Sequence, residues 1–287
     1  MHFSERHDYK EPRPMLVENE LPRELRNRIW NVLLWTYFDD IGHSDIIEQY
    51  YSEYFNSLTA YLRHSFFKVA IDERPTFPSD ELKFVRSCYF RLEFPGFYDF
   101  LEEMAGDAVQ SIRCQFHPIG RQDQFIRNCN TVLEQEKAQF RFISNLLTPI
   151  TNEVEMGEVE RAVSTVDARE HIRRAIQYYR VKNDPSYRNS VKESISAVEA
   201  TYRNMTGQKH KNIGQALDDM ARKGMNLPIA LKEGFSKIYG WTSGEDGIRH
   251  ALMESGRSVT EAEARLMLVM CSAYVNYLLS LRDAQLQ

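Results

Sequence analysis

SYRNSVKESISAVEATYRNM, Ser186 to Met205, is the stretch on which the fold turns. Val191, Ile195, Val198 and Tyr202 recur at spacings of three and four, so they share one face of a helix with 3.6 residues per turn. Lys192, Ser196, Glu199 and Arg203 share another. The pattern predicts a long helix with one packed face and one wet face. Just upstream, Asn183-Asp184-Pro185 breaks the preceding run, because proline disfavours α backbone at the residue before it.

Working outward from this helix, Ile213–Arg222 reads as a short amphipathic helix and Leu227–Tyr239 as another, opened by Pro228. Thr260–Leu281 is a strongly apolar closing helix, with Ala264, Met267, Leu268, Cys271, Tyr274, Val275 and Leu278 at helical spacing. Towards the N-terminus, Arg23–Leu34 follows Pro22 as an amphipathic helix, and Ser44–Leu58, Ser79–Phe90, Gly96–Val109 and Gln124–Lys137 repeat the pattern. Gln139–Ile143 alternates polar and apolar residues, and with a Ser-Asn turn and Leu147–Thr151 it predicts a small β-hairpin. Met156–Arg174 resumes helical periodicity. The expected fold class is mainly α: a helical N-terminal domain with one hairpin over 1–166, then a bundle of four to five helices over 167–287.

The formal charge of −5 conceals an asymmetry. Residues 1–168 hold 18 Lys and Arg against 28 Asp and Glu, whereas 169–287 hold 18 against 13. Residues 169–211 alone carry ten cations and four acids, among them Arg188, Lys192 and Arg203, which marks a candidate polyanion surface. A solvated helix face that balances the acidic half would read the same way.

Four scattered cysteines give no disulfide framework, and the expectation is a reducing, cytoplasmic setting without a leader or membrane contact. Cys114 and His117 form a lone C-x-x-H, which cannot fill a four-ligand zinc shell and reads as a buried thiol beside a surface imidazole. P-loop, zincin and nucleophile-elbow motifs are absent. No cofactor and no metal is expected. Trp30, Trp35, Tyr37, Phe38, Tyr50, Tyr51, Tyr54 and Phe55 sit on helical stripes and read as core rather than as a ligand box.

Tyr239–Leu252 breaks the pattern. Gly240, Gly244 and Gly247 predict a bent, exposed loop, with Arg249 and His250 where the chain begins to wind again. Imidazole is the side chain able to exchange a proton near neutrality, and guanidinium offers planar donors to phosphate oxygens as charge builds on them, so the pair suits metal-independent phosphodiester cleavage. The bland alternative is that Glu245 or Asp246 caps the following helix and Arg249 pairs with an acid.

Several strings resemble a known family. Tyr187–Glu199, Tyr239-Gly240-Trp241-Thr242-Ser243, Asp246–Ala251 and Met270-Cys271-Ser272-Ala273 are similar to the HEPN-type C-terminal domain of abortive-infection proteins. Phe3–Arg6, Glu24–Asn31, Asn130–Glu136 and Phe140–Ile143 with Thr148–Thr151 resemble the fourth type of AbiJ N-terminal domain. The resemblance implies a homodimer through the C-terminal domain and an Arg/His cleft that cuts tRNA or mRNA in antiviral defence or as a toxin, under an inhibitor or sensor partner. It assigns catalysis to Arg249 and His250, with Glu193, Ser196, Glu199 and Asp246 in support. The family pattern places four to six residues between Arg and His, yet Ser243, Gly244 and Glu245 stand where the Arg would be. Arg203 and His210 satisfy that spacing and form an alternative pair. A non-catalytic module that dimerises, senses, or binds RNA or protein also remains open.

Overall fold

A computed structural model describes residues 16, 19–38, 47–116, 121–150, 152–181, 183–207, 213–222, 224, 228–243 and 258–285. It is mainly α, with twelve helices and one two-stranded hairpin among the described residues. The chain divides by packing into Met1–Thr151 and Asn152–Gln287. The expected boundary lay fifteen residues later, after 166, so the helix that follows Thr151 packs with the second unit.

In the first unit, α1 (Arg23–Leu33) buries Leu25, Ile29, Trp30 and Leu33 and runs into a π-helical turn, Leu34–Phe38. The wider turn keeps Thr36, Tyr37 and Phe38 inside and leaves Trp35 60% exposed, which corrects the core reading of that tryptophan. Trp30, Tyr37, Phe38, Tyr54 and Phe55 are buried as expected, and the side chains of Tyr50 and Tyr51 lie outside the described residues. The next helix, α2 (Ile47–Tyr61), also ends in a π turn, Leu62–Phe67, closed by Lys68 in left-handed backbone. α3 (Pro78–Arg91) has proline in its first turn.

The single helix expected over Gly96–Val109 is two: α4 (Phe94–Ala105) and α5 (Asp107–Phe116). Gly106 is extended between them, and a Cβ there would stand 3.1 Å from the Glu103 carbonyl oxygen. α6 (Gln122–Gln135) leads to the hairpin of β1 (Arg141–Ile143) and β2 (Leu146–Thr148), with Arg141 opposite Thr148. Both hairpin edges are occupied. Asn130 of α6 donates to the Phe142 carbonyl at 2.9 Å and accepts from the Phe142 amide at 2.7 Å, and Glu102 of α4 accepts from the Leu147 amide at 2.6 Å. Side chains thereby satisfy backbone groups that an open edge would present to another strand.

In the second unit the run expected over Met156–Arg174 is also two helices, α7 (Glu153–Ser164) and α8 (Arg169–Tyr179). Thr165 turns to extended backbone, and the Arg169 guanidinium donates back to the Val163 and Ser164 carbonyls at 3.2 and 3.1 Å. Those bonds satisfy acceptors that the end of α7 leaves orphaned. α9 (Asp184–Thr206) starts where Asn183 accepts from the Ser186 amide, with Pro185 in its first turn, and stops at Gly207 with φ 71°. α10 (Ile213–Arg222) and α11 (Ile229–Ser243) follow, and α12 (Glu261–Gln285) closes the unit.

α9 lies between α8 and α12 and buries Val191, Ile195, Val198 and Tyr202, while α7 packs on α12. Ser190, Ser194 and Thr201 are also fully buried. Ser190 donates across to the Ala175 carbonyl of α8 at 2.8 Å, and the other two bond their own i−4 carbonyls. These small hydroxyls bring no unsatisfied polarity into the packed face. Glu261–Ala284 is long and apolar enough to cross a membrane, but 56% of its apolar 18-residue window is buried, and Ser272 and Asn276 are bonded within the unit. It is built as a core helix.

Candidate functional site

The outward face of α9 carries Asn189, Lys192, Glu193, Ser196 and Glu199, all half-buried, and then exposed Arg203 in its last turn. α8 flanks the stripe on one side and α11 on the other, and each lends it a partner. His171 of α8 holds Glu193, Nδ1 to Oε2, at 2.7 Å. Tyr239 of α11 donates to Glu199 Oε1 at 2.8 Å. Ser196 donates to the Lys192 carbonyl at 2.9 Å, so its hydroxyl proton is spent within the helix. Asn204, beside Arg203, donates to Asp167 at 2.6 Å, and Asp167 also meets Arg282 at 3.6 Å.

The structure therefore aligns five of the expected residues, Lys192, Glu193, Ser196, Glu199 and Arg203, along one surface. Arg188, grouped with them from sequence, is 6% exposed and turns into the unit. It is not an outward phosphate contact in this chain, because its place on α9 falls on the flank of the apolar face. Lys192 and Arg203 make no ion pair with a described residue. Arg249, His250, Asp246 and His210 lie outside the described residues. The loop expected from Tyr239 starts later than read, since α11 continues through Gly240 to Ser243, with Thr242 fully buried and donating to the Tyr239 carbonyl at 2.8 Å.

Sequence reading missed His171. Its partner is 22 residues away on another helix, and the expected unbroken Met156–Arg174 helix gave no reason to single it out. The available signal was the spacing of His171, Arg174 and Tyr178, which places an imidazole, a guanidinium and a phenol on one helical face.

A second concavity of about 560 Å³ is lined by Glu155 of α7 and by Glu261, Arg265, Leu266, Val269 and Met270 of α12. Arg265 is engaged inside it, donating to Glu155 Oε2 from Nε at 3.0 Å and from Nη2 at 2.6 Å, and the Tyr179 hydroxyl donates to Glu261 at 3.3 Å. No cluster of three or more His, Cys, Asp or Glu side chains suited to a metal occurs among the described residues. Cys114 is exposed, not buried as the lone C-x-x-H suggested, and His117 lies outside the described residues.

The fold and this surface define a mainly helical, two-unit protein with a polar stripe on the central helix of its second unit. Residues 1–165 match the AbiJ N-terminal domain 4 family, and the chain belongs to that family, which relates it to abortive infection. The match spans the whole first unit and α7. Among curated proteins and among solved structures, none matches the chain.

Proposed function

We propose that this protein is a cytoplasmic effector of abortive infection whose second unit is HEPN-like, pairs with a second copy, and cleaves RNA without a metal. The observation that carries the reading is the α9 stripe, on which Lys192 and Arg203 make no ion pair with a described residue while Glu193 and Glu199 beside them are held by His171 and Tyr239. Cations on one open face suit a phosphate backbone. In this reading Arg249 steadies charge on the scissile phosphate and His250 transfers the proton, with Arg203 and His210 as the alternative pair.

The test is incubation of purified protein with tRNA and with total RNA in EDTA. Cleavage that is lost in His250→Ala supports the reading, and Arg203→Ala with His210→Ala tests the alternative pair. Intact RNA, together with growth toxicity that survives His250→Ala, overturns it. A second reading, a non-catalytic module that binds RNA or a protein partner, draws support from a specific feature: Glu193 and Glu199 are both engaged within the chain. Salt-dependent RNA binding without cleavage is its signature.

A further inference from the structure

His171 and Glu193 meet on the outer rim of the seam between α8 and α9, with side chains 32% and 22% exposed. A carboxylate oxygen accepts hydrogen bonds, so Nδ1 is the donor of the pair and Nε2 is the ring nitrogen left for a ligand. Nε2 makes no hydrogen bond to a described residue. An imidazole held by an acid through one ring nitrogen, with the other facing outward, is placed to exchange a proton with a ligand.

The same face of α8 continues with Arg174 and Tyr178, three and seven residues beyond His171. At 1.5 Å per residue the three span about 10 Å along the helix. The Arg174 side chain is 51% exposed and touches Glu170 through Nε alone, at 2.9 Å, which leaves both terminal nitrogens as donors. Tyr178 is 37% exposed. One helical face thus offers a base, a planar cation and an aromatic surface: groups for a hydroxyl proton, a phosphate and a nucleobase.

We propose that this seam is a catalytic site for RNA cleavage, with His171 as general base and Glu193 as its positioning residue. The inference rests on the reading that the second unit cleaves RNA, and it gives the 2′-hydroxyl proton to His171 in place of His250, so His250→Ala is expected to keep the wild-type rate. His171 Nε2 takes the 2′-hydroxyl proton, O2′ forms a bond to phosphorus, and the P–O5′ bond breaks. The leaving 5′-oxygen takes a proton from water, and the imidazolium returns its proton to solvent. The products are a 2′,3′-cyclic phosphate and a 5′-hydroxyl. Arg174 binds the non-bridging oxygens and Tyr178 stacks on the adjoining base.

The experiment measures cleavage of a single-stranded RNA oligonucleotide in EDTA by full-length wild type, His171→Ala, His171→Gln, Glu193→Gln, Arg174→Ala, Tyr178→Ala and His250→Ala, each checked by circular dichroism. Both His171 variants are expected to lose kcat about a hundredfold or more with KM little changed. Added imidazole restores part of the rate to His171→Ala, which a merely structural histidine would not allow. Arg174→Ala and Tyr178→Ala raise KM several-fold. Folded His171→Gln that cleaves at the wild-type rate overturns this inference and leaves the RNA reading standing. Failure of wild type to cleave overturns both. If both His171 variants lose their helical signal, a wild-type kcat for Glu193→Gln, with no response of His171→Ala to imidazole, also overturns it.

Discussion

Arg63 and Glu81 form a two-pronged ion pair inside the first unit, Nε to Oε1 at 2.7 Å and Nη2 to Oε2 at 2.9 Å, with both side chains 2% exposed. Arg63 also donates to the Ala70 carbonyl at 3.1 Å, and its guanidinium lies 3.9 Å above the Phe84 ring. The pair ties the π turn after α2 to α3.

Removing one partner leaves a charge buried without its counterion, which costs about 3–5 kcal/mol. Glu81→Ala is expected to lower the unfolding free energy of the first unit by that order, read as an earlier urea midpoint. Arg63→Met with Glu81→Leu replaces both charges by apolar bulk and is expected to recover most of the loss. A Glu81→Ala midpoint equal to wild type would show that the pair contributes nothing.

In the second unit Tyr202 donates its hydroxyl to that of Tyr274 at 2.8 Å, and Tyr274 stacks on Phe235 with centroids 3.7 Å apart. Burial pushes the Tyr274 phenol up from 10.0 to about 12, against a smaller lowering by the Tyr202 hydrogen bond, and pushes Tyr202 higher. A raised folded value favours the protonated phenol in the native state. That stability is complete below the unfolded value of 10.0 and is lost as pH climbs through about 12. Denaturant stability should therefore fall between pH 10 and 12 in wild type and fall less in Tyr202→Phe/Tyr274→Phe. Parallel curves would refute this account of the pair.

Gly207 ends α9 at φ 71° and ψ 11°, donating to the Arg203 carbonyl at 2.8 Å. Among the described residues no atom outside its own neighbourhood lies within 4 Å of a Cβ placed there, so substitution meets backbone strain. Gly207→Ala is expected to cost about 1 kcal/mol and Gly207→Asn less, because asparagine tolerates left-handed backbone. Equal melting temperatures for Gly207→Ala and wild type would remove the argument.

Thiol accessibility separates the cysteines. Cys129 and Cys271 are buried, and desolvation raises both thiols above their ordinary value. Neither reacts as a thiolate without unfolding. Brief alkylation of native protein, read by peptide mass mapping, should label exposed Cys114 first and leave Cys129 and Cys271 unmodified until denaturant is added. Native labelling of Cys271 at the rate of Cys114 would contradict the packing of α12.

Apolar spacing made α1, α3, α6, α9, α10 and α12 legible, because each lays one continuous face on a core. The breaks were less legible. Gly106 splits α4 from α5 through its closeness to the Glu103 carbonyl, and the α7–α8 turn is held by Arg169 reaching back to two carbonyls. Neither device has a periodic signature. On α9 the polar face was visible as a stripe, but Ser190, Ser194 and Arg188 are polar residues turned inward, and composition cannot distinguish them from Ser196 and Lys192. His171 shows the same limit from the other side, since a contact between helices 22 residues apart carries no local pattern.

The start of α12 was read at Thr260 from its apolar spacing, and the cap that fixes it gives the last prediction. Thr260 and Glu263 cap it reciprocally: the Glu263 amide donates to Thr260 Oγ1 at 3.3 Å, and Glu263 Oε2 accepts from the Thr260 amide at 2.9 Å. The Thr260 hydroxyl donates to the same carboxylate oxygen at 2.9 Å. Such a box satisfies donors that a helix start otherwise leaves to water. Thr260→Ala is expected to cost about 1 kcal/mol, and Thr260→Ser to retain most of the stability. Hydrogen exchange should localise the loss to the first turn of α12, at Glu261–Ala264. Unchanged protection there in Thr260→Ala would mean that packing on α7 and α8 alone fixes where the helix begins.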